Sequence, residues 1–225
     1  ATQRIRLGAL VTPLARRRPW QVARATVGLD RLSGGRLVFG AGSGSGRASE
    51  WEDLGEPADA RTRAARLDEG LQVLAGLWSA APFSFAGQHY RVHQACFAPP
   101  PLQSPRIPIW IAGHWPHPRP FTRAARWDGV FPEFPNGGDE LDQLRAVCTA
   151  VRAQRQAETP FDVVYASAPQ SSARDLADCA AAGATWWLAR LDPPLLGCGW
   201  DASWPLDAVR TYIARGPVGA PPAGV

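Results

Sequence analysis

Apolar residues along the chain fall into two patterns, short continuous runs and longer stretches with a helical period. The runs "RIRLGALV" (4–11), "RLVFGAG" (36–42), "IPIWIAG" (107–113), "FDVVYAS" (161–167) and "TWWLARL" (185–191) are each of strand length. "DGVFPEF" (128–134) predicts a turn and a shorter strand. Unbroken apolar runs of this length are expected where both faces of a sheet are covered. Between the runs the period changes. "PWQVARATVGLDRLS" (19–33) opens on proline and stops at Gly34–Gly35, the signature of a helix with a glycine after its last turn. Leu67, Leu71, Leu74 and Trp78 share one face of a helix over 61–79. Leu141, Leu144, Val147, Cys148 and Val151 face inward from a helix over 139–156. Further helices are expected over 119–127, 172–184 and 201–217, the last with Pro205 near its first position and Pro217 past its end. Residues 80–106, rich in proline and aromatics, read as a decorated loop with a short hairpin through 83–92.

Six strands, each followed by a helix, demand a parallel α/β sheet covered by helices. Two architectures satisfy that, a closed (β/α)8 barrel and an open doubly wound sheet. Six units fill an open sheet as they stand, whereas a barrel needs two more. The chain starts almost at once on a core strand and contains no methionine, so it is expected to be the interior of a longer protein. That leaves room upstream for the missing pair. The pattern alone leaves both architectures open.

With 225 residues, 45% of them hydrophobic, the chain can bury a core as one domain. No run approaches the roughly 20 apolar residues needed to span a bilayer, and no basic-then-apolar leader opens it. The 24 basic residues are all arginine and share their helices with 20 acids, which gives a mixed surface rather than a nucleic-acid stripe. Only Arg16, Arg17 and Arg18 cluster, and beside Pro19 they read as a solvated loop in preference to a binding patch. Four scattered cysteines without a CxxC, and no histidines at ligand spacing, predict no metal site and a reduced, cytoplasmic protein.

"FGAGSGSGRASEW" (39–51) alternates four glycines behind an apolar run. A P-loop requires lysine, and the chain has none. A dinucleotide fingerprint requires GxGxxG opening a helix, and neither register supplies the third glycine. Two readings remain. Either backbone N–H groups of the loop line an anion, or glycine serves a tight strand-to-helix turn. A second candidate lies at "IWIAGHWPHPRP", where Gly113 would admit a ligand to the backbone beside His114 and Trp115. His114 and His117 as plain loop residues, with Trp115 capping a core, is the competing reading. His89 and His93 sit in the excursion, as lid or as surface, and Tyr90 pins that segment. Asp30 and Asp128 look structural, and Glu50, Glu52 and Asp53 would repel a phosphate unless turned away. No Ser-His-Asp set and no paired carboxylates emerge, so any redox or group-transfer chemistry would belong to a cofactor.

Read as whole blocks, the sequence resembles the luciferase-like monooxygenase family of flavin- and deazaflavin-dependent barrel oxidoreductases. The resemblance rests on residues 4–44, "RIRLGALVTPLARRRPWQVARATVGLDRLSGGRLVFGAGSG", and on "RLDEGLQVLAGLWSAAPFSFAGQHYRV" (66–92). "PPPLQSPRIPIWIAGHWP" (99–116) and "RAARWDGVFP" (123–132) extend it, and "AAAGATWWLARL" (180–191) looks like one bacterial subgroup. The resemblance implies one domain over 1–225, a partial (β/α)8 barrel with strands 3–8 present and strands 1–2 missing. It implies a non-prolyl cis peptide at Leu10–Val11 backing a cofactor ring, with Ser43 and Gly44 beside the cofactor. It also implies Ala112, Gly113 and His114 at the cofactor phosphate, mainly through backbone contacts. Trp115 and His89 are the substrate-side candidates. The catalytic acid or base is left unassigned, since it would fall on the missing strands. The implied cofactor is coenzyme F-420 or FMN, with the subgroup leaning to the deazaflavin. The implied reaction is hydride transfer to or from a small organic substrate, and a homodimer is among the expectations. The alternative is a catalytically inactive barrel fragment that serves only for binding or association.

Overall fold

The computed structural model describes residues 3–168, 172–199 and 201–216. In chain order the elements are β1 (Thr12–Pro13), α1 (Pro19–Ser33), β2 (Phe39–Gly42), α2 (Ala60–Trp78), β3 (Phe83–Ala86), β4 (Arg91–Ala95) and β5 (Ile109–His114). There follow α3 (Pro118–Ala124), β6 (Gly129–Glu133), α4 (Glu140–Arg152), β7 (Asp162–Ser167), α5 (Ala173–Ala181), β8 (Trp186–Ala189) and α6 (Leu206–Arg215). Six strands form one parallel sheet in the order β1-β2-β5-β6-β7-β8, each beside its neighbour in the chain once the β3–β4 hairpin is set aside. This is the strand order of a partial barrel. The doubly wound alternative would need a reversal of order, and there is none.

Both sheet faces are apolar, as the continuous runs require. One face carries Phe39, Ile109, Ile111, Val130, Val163 and Tyr165 into the main core with Leu67, Leu71 and Leu74 of α2 and Leu144, Val147 and Val151 of α4. The other carries Val38, Trp110 and Val164, with Phe131, Trp186 and Leu188 packed around them, into the concave interior. That interior contains a half-buried polar device. The indole N–H groups of Trp110 and Trp186 donate to the two oxygens of Asp162, at 3.0 and 2.9 Å, so one carboxylate ties three strands together. β1 and β8 are the sheet edges, and no ladder joins them among the described residues. Their side chains still meet. The Arg6 guanidinium lies 5.7 Å from the centre of the Trp186 ring, and Leu7, Leu10, Trp186 and Leu188 line one small cavity.

The expected strand over 4–11 is corrected by the structure. Only Leu7 pairs there, opposite Leu37, and the ladder resumes at Thr12 opposite Ala41. The chain takes five steps where β2 takes four, so Gly8–Val11 bulges off the ladder. The Leu10–Val11 peptide inside that bulge is cis. Gly40 makes room for it, since a Cβ there would lie 2.3 Å from the Ala9 carbonyl oxygen.

Several helices are shorter than the sequence predicts, α4 and α5 at their carboxyl ends, while capping residues hold the expected starts of those two. Asp139 accepts from the N–H groups of Leu141 and Asp142 and starts α4. Ser172 and Asp175 form a reciprocal capping box on α5. Pro205 caps α6 from outside rather than occupying its first turn, and Pro217 lies outside the described residues.

The excursion is a two-stranded antiparallel sheet of its own. Its tip is held by Glu69 of α2, whose carboxylate accepts from the backbone N–H groups of Gln88, His89 and Tyr90 at 2.8, 2.9 and 3.0 Å. Its return is held by Asp30. That fully buried carboxylate accepts from the N–H groups of Leu102 and Gln103 and from the Gln103 side chain. Burial pushes the Glu69 carboxyl up, but the three N–H donors outweigh it and hold its pKa below the ordinary 4.5. A carboxylate with a lowered native pKa contributes its stabilisation above the unfolded pKa and loses it as pH falls through the native value. The stability difference between parent and Glu69→Gln, measured by urea unfolding, should therefore be large at pH 7 and shrink progressively as pH falls below the ordinary 4.5 of the unfolded carboxyl. At neutral pH the variant should lose about 1.5–3 kcal/mol, the range for a hydrogen-bonded charge.

Candidate active site

The carboxyl ends of β5, β6, β7 and β8 surround a cleft of about 580 Å³, closed on its far side by Leu10 from the bulge. Its walls are Leu10, Phe131, Phe134, Leu188 and Leu191, and its polar groups include His114, Glu133, Glu140, Arg190 and Asp192. His114 and Glu133 are register partners on β5 and β6, and the imidazole Nε2 stands 3.0 Å from a Glu133 carboxylate oxygen. Glu140, at the start of α4, accepts the Tyr165 hydroxyl at 2.6 Å. Burial, then that carboxylate, pushes the Tyr165 phenol far above its usual value, so it remains a neutral donor. Arg190 pairs with Asp192 at the rim.

The neighbouring strands bring other predicted residues to the same end. A Cβ on Gly42 would stand 2.9 Å from a Val11 methyl and 3.8 Å from the Ala112 Cβ, so the ends of β1, β2 and β5 converge. Ser43 and Gly44 follow directly, both half-buried. Gly44 has φ +81°, and a Cβ on it would meet the Trp51 ring at 2.8 Å. Trp51 is fully buried and donates its indole N–H to the Ser45 carbonyl at 2.7 Å. Arg63 donates to the same carbonyl at 2.5 Å while its guanidinium lies 5.0 Å from the centre of the Trp51 ring. The glycine loop is thus anchored from below by a tryptophan and an arginine.

Three expected residues make structural contacts of their own. A Cβ on Gly113 would lie 2.2 Å from Pro120, so this glycine admits α3 to the sheet. Trp115 packs edge-on against Phe121, ring centres 5.3 Å apart, on the outer side of the strands. His89 lines a groove beside α1 and α2 that shares no residue with the cleft. The backbone after β5 is also short of donors. Pro116, Pro118 and Pro120 have no N–H, while those of Trp115 and His117 are taken by the carbonyls of Glu133 and His114. The cationic or polar donors facing an anion in this cleft are the side chains of Arg190 and His114. Sequence reasoning missed Glu133, Phe131 and Arg190. The alternation of Phe131 and Glu133 within "DGVFPEF" was the available signal, since both point to the interior face.

A family model described as luciferase-like monooxygenase matches residues 1–199. The chain belongs to that family. Among its relatives, an F420-dependent glucose-6-phosphate dehydrogenase of Kineococcus radiotolerans is 34% identical over 122 residues, covering 51% of this chain and 34% of the relative. An FMNH(2)-dependent dimethylsulfone monooxygenase of Pseudomonas putida is 30% identical over 165 residues, covering 70% of this chain and 42% of the relative. A solved F420-dependent secondary alcohol dehydrogenase, in complex with an F420–acetone adduct, superposes with a TM-score of 0.61 at 18% identity. That match covers 76% of this chain and 52% of the other. The chain spans about half the length (54%) of the first curated relatives it matches. The family therefore includes members named for each of the two cofactors that the sequence implied.

The anchoring of the glycine loop is open to direct measurement. Gly44→Ala places a Cβ in a left-handed conformation and against Trp51, and should cost about 1–3 kcal/mol in urea unfolding. Gly46 has open space around it and no positive φ, so Gly46→Ala should stay within about 0.5 kcal/mol.

Proposed function

We propose that the chain carries the cofactor cleft of a two-electron oxidoreductase or monooxygenase that uses coenzyme F-420 or FMN on a small organic substrate. The observation that carries this reading is the cleft itself. It lies at the carboxyl ends of parallel strands, has apolar walls, and has a volume in the usual range for a small-molecule site. A flavin-type ring is flat and largely apolar with a phosphate on its side chain; the cleft offers apolar surface for the ring, and its donors to an anion, His114 and Arg190, are shared with Glu133 and Asp192. Leu10, Phe131 and Leu188 would hold the ring, with Val11, Ser43, Gly44 and Ala112 beside it. His114 and Arg190 would hold the phosphate, and Gly113 would act by seating α3 behind them. When bound, the cofactor supplies the hydride chemistry, and the residues here bind it, orient it and exclude water. The His114–Glu133 contact keeps the imidazole facing the cleft.

Which cofactor binds decides the class of reaction. Deazaflavin binding would mark a dehydrogenase or reductase, and FMN binding with substrate-dependent oxygen uptake would mark a monooxygenase. The exposed edges of β1 and β8 support the second reading, a fragment that works by association, because unpaired edges recruit strands.

Titration with each cofactor, followed by absorbance and fluorescence, separates the readings. One of the two should bind saturably. Arg190→Ala and His114→Ala should each weaken it about tenfold, which is near the lower end of the cost of a lost charged hydrogen bond. Trp115→Phe should leave it unchanged. Absence of binding by both cofactors would leave only the association reading.

A further inference from the structure

A second concavity, larger than the cleft, lies apart from it. A groove of about 710 Å³ lies between the start of α1, the first half of α2 and the tip of the β3–β4 hairpin. Four guanidinium-bearing residues line it, Arg16, Arg17, Arg18 and Arg66, together with Gln21, His89 and Tyr90. One carboxylate, Glu56, faces them, and Arg66 already holds it at 2.8 Å. Arg16 is likewise engaged, by Glu50 at 3.1 Å. Arg17 and Arg18 have no acidic partner among the described residues, although Arg18 leans towards the Trp20 ring at 5.8 Å. The wall opposite them is fixed in place. Glu69 anchors the hairpin tip through the backbone of residues 88–90, and Tyr90 packs edge-on to Trp20 with ring centres 6.4 Å apart.

A concave site with this lining has many donors and one occupied acceptor, and it carries excess positive charge. We infer that this groove is a binding site for a phosphorylated small molecule, independent of the cofactor cleft. Guanidinium forks match phosphate oxygens two at a time, and Arg17 and Arg18 are the two that no protein carboxylate satisfies. Gln21 and Tyr90, residues with neutral donors, line the same groove. Such a site requires neither F-420 nor FMN, so it can be tested without them.

The test is titration of the chain with inorganic phosphate by calorimetry and by amide chemical shifts, in 150 mM sodium chloride, with acetate as the monoanionic control. Phosphate should bind saturably, shifting residues 16–21 and 88–90, and acetate should bind at least about tenfold more weakly. R17A/R18A should weaken phosphate binding by about tenfold or more, whereas Arg145→Ala, on the exposed face of α4, should not change it. Gln21→Glu, which sets a negative charge in the groove without touching either arginine, should weaken it similarly and serves where the double variant does not fold. Non-saturable phosphate binding at this salt concentration, equal affinity for acetate, or affinity unaffected by R17A/R18A or Gln21→Glu would overturn the assignment. Cofactor titrations report the cleft separately, so failure at one site does not imply failure at the other.

Discussion

A parallel sheet must bury two faces at once, and here that constraint determines almost everything else. The outer face is covered by α1–α4 in the conventional way, with leucine, valine and isoleucine interdigitating. The inner face has no helix to cover it and must be filled by its own side chains. Trp110, Trp186, Val38, Val164, Phe131 and Leu188 do so, and two of them bring an indole N–H that needs an acceptor. Asp162 meets both needs with one side chain. Gly129 completes the arrangement, since a Cβ there would lie 2.4 Å from the Trp110 ring. Filling the interior with indoles at the lower end leaves only the small cavity beside Leu7 and Trp186 there, and the larger cleft opens near the carboxyl ends.

The strand-and-helix alternation was legible because it depends on local signals, apolar runs and capping residues. The bulge at Gly8–Val11 was not, because one extra residue leaves the apolar count of "RIRLGALV" unchanged while it shifts the pairing. Likeness to a family, and not periodicity, pointed to the cis peptide between Leu10 and Val11. The glycines were the hardest to read. Gly113 was read as a place where a ligand comes close, and in the fold its missing Cβ makes room for Pro120, as that of Gly40 makes room for Ala9. A missing Cβ is the same sequence signal whether the neighbour is a cofactor or another segment of chain. Glu133 and Arg190 escaped notice for a different reason. Their meaning depends on strand register, which sets Glu133 opposite His114 and places Arg190 just beyond β8 at the same end of the sheet.

The restriction of basic residues to arginine has structural consequences at several of these points. Arg63 stacks on Trp51 and donates to the Ser45 carbonyl in one pose, which an ammonium on a flexible stem cannot reproduce. Arg155 ties the end of α4 to the carbonyls of Ala125, Trp127 and Thr159 while lying 4.6 Å from the centre of the Phe161 ring. Arg123, buried, makes two parallel bonds to Asp68 and so joins α3 to α2. Burial raises the Asp68 carboxyl, and Arg123 and Arg126 more than reverse that, leaving it below the ordinary range. Each of these arginines spends its donors on the protein. Arg17 and Arg18 meet no carboxylate among the described residues, and what sets them apart from the other arginines without one is their place side by side in a single groove that Arg16 and Arg66 also line.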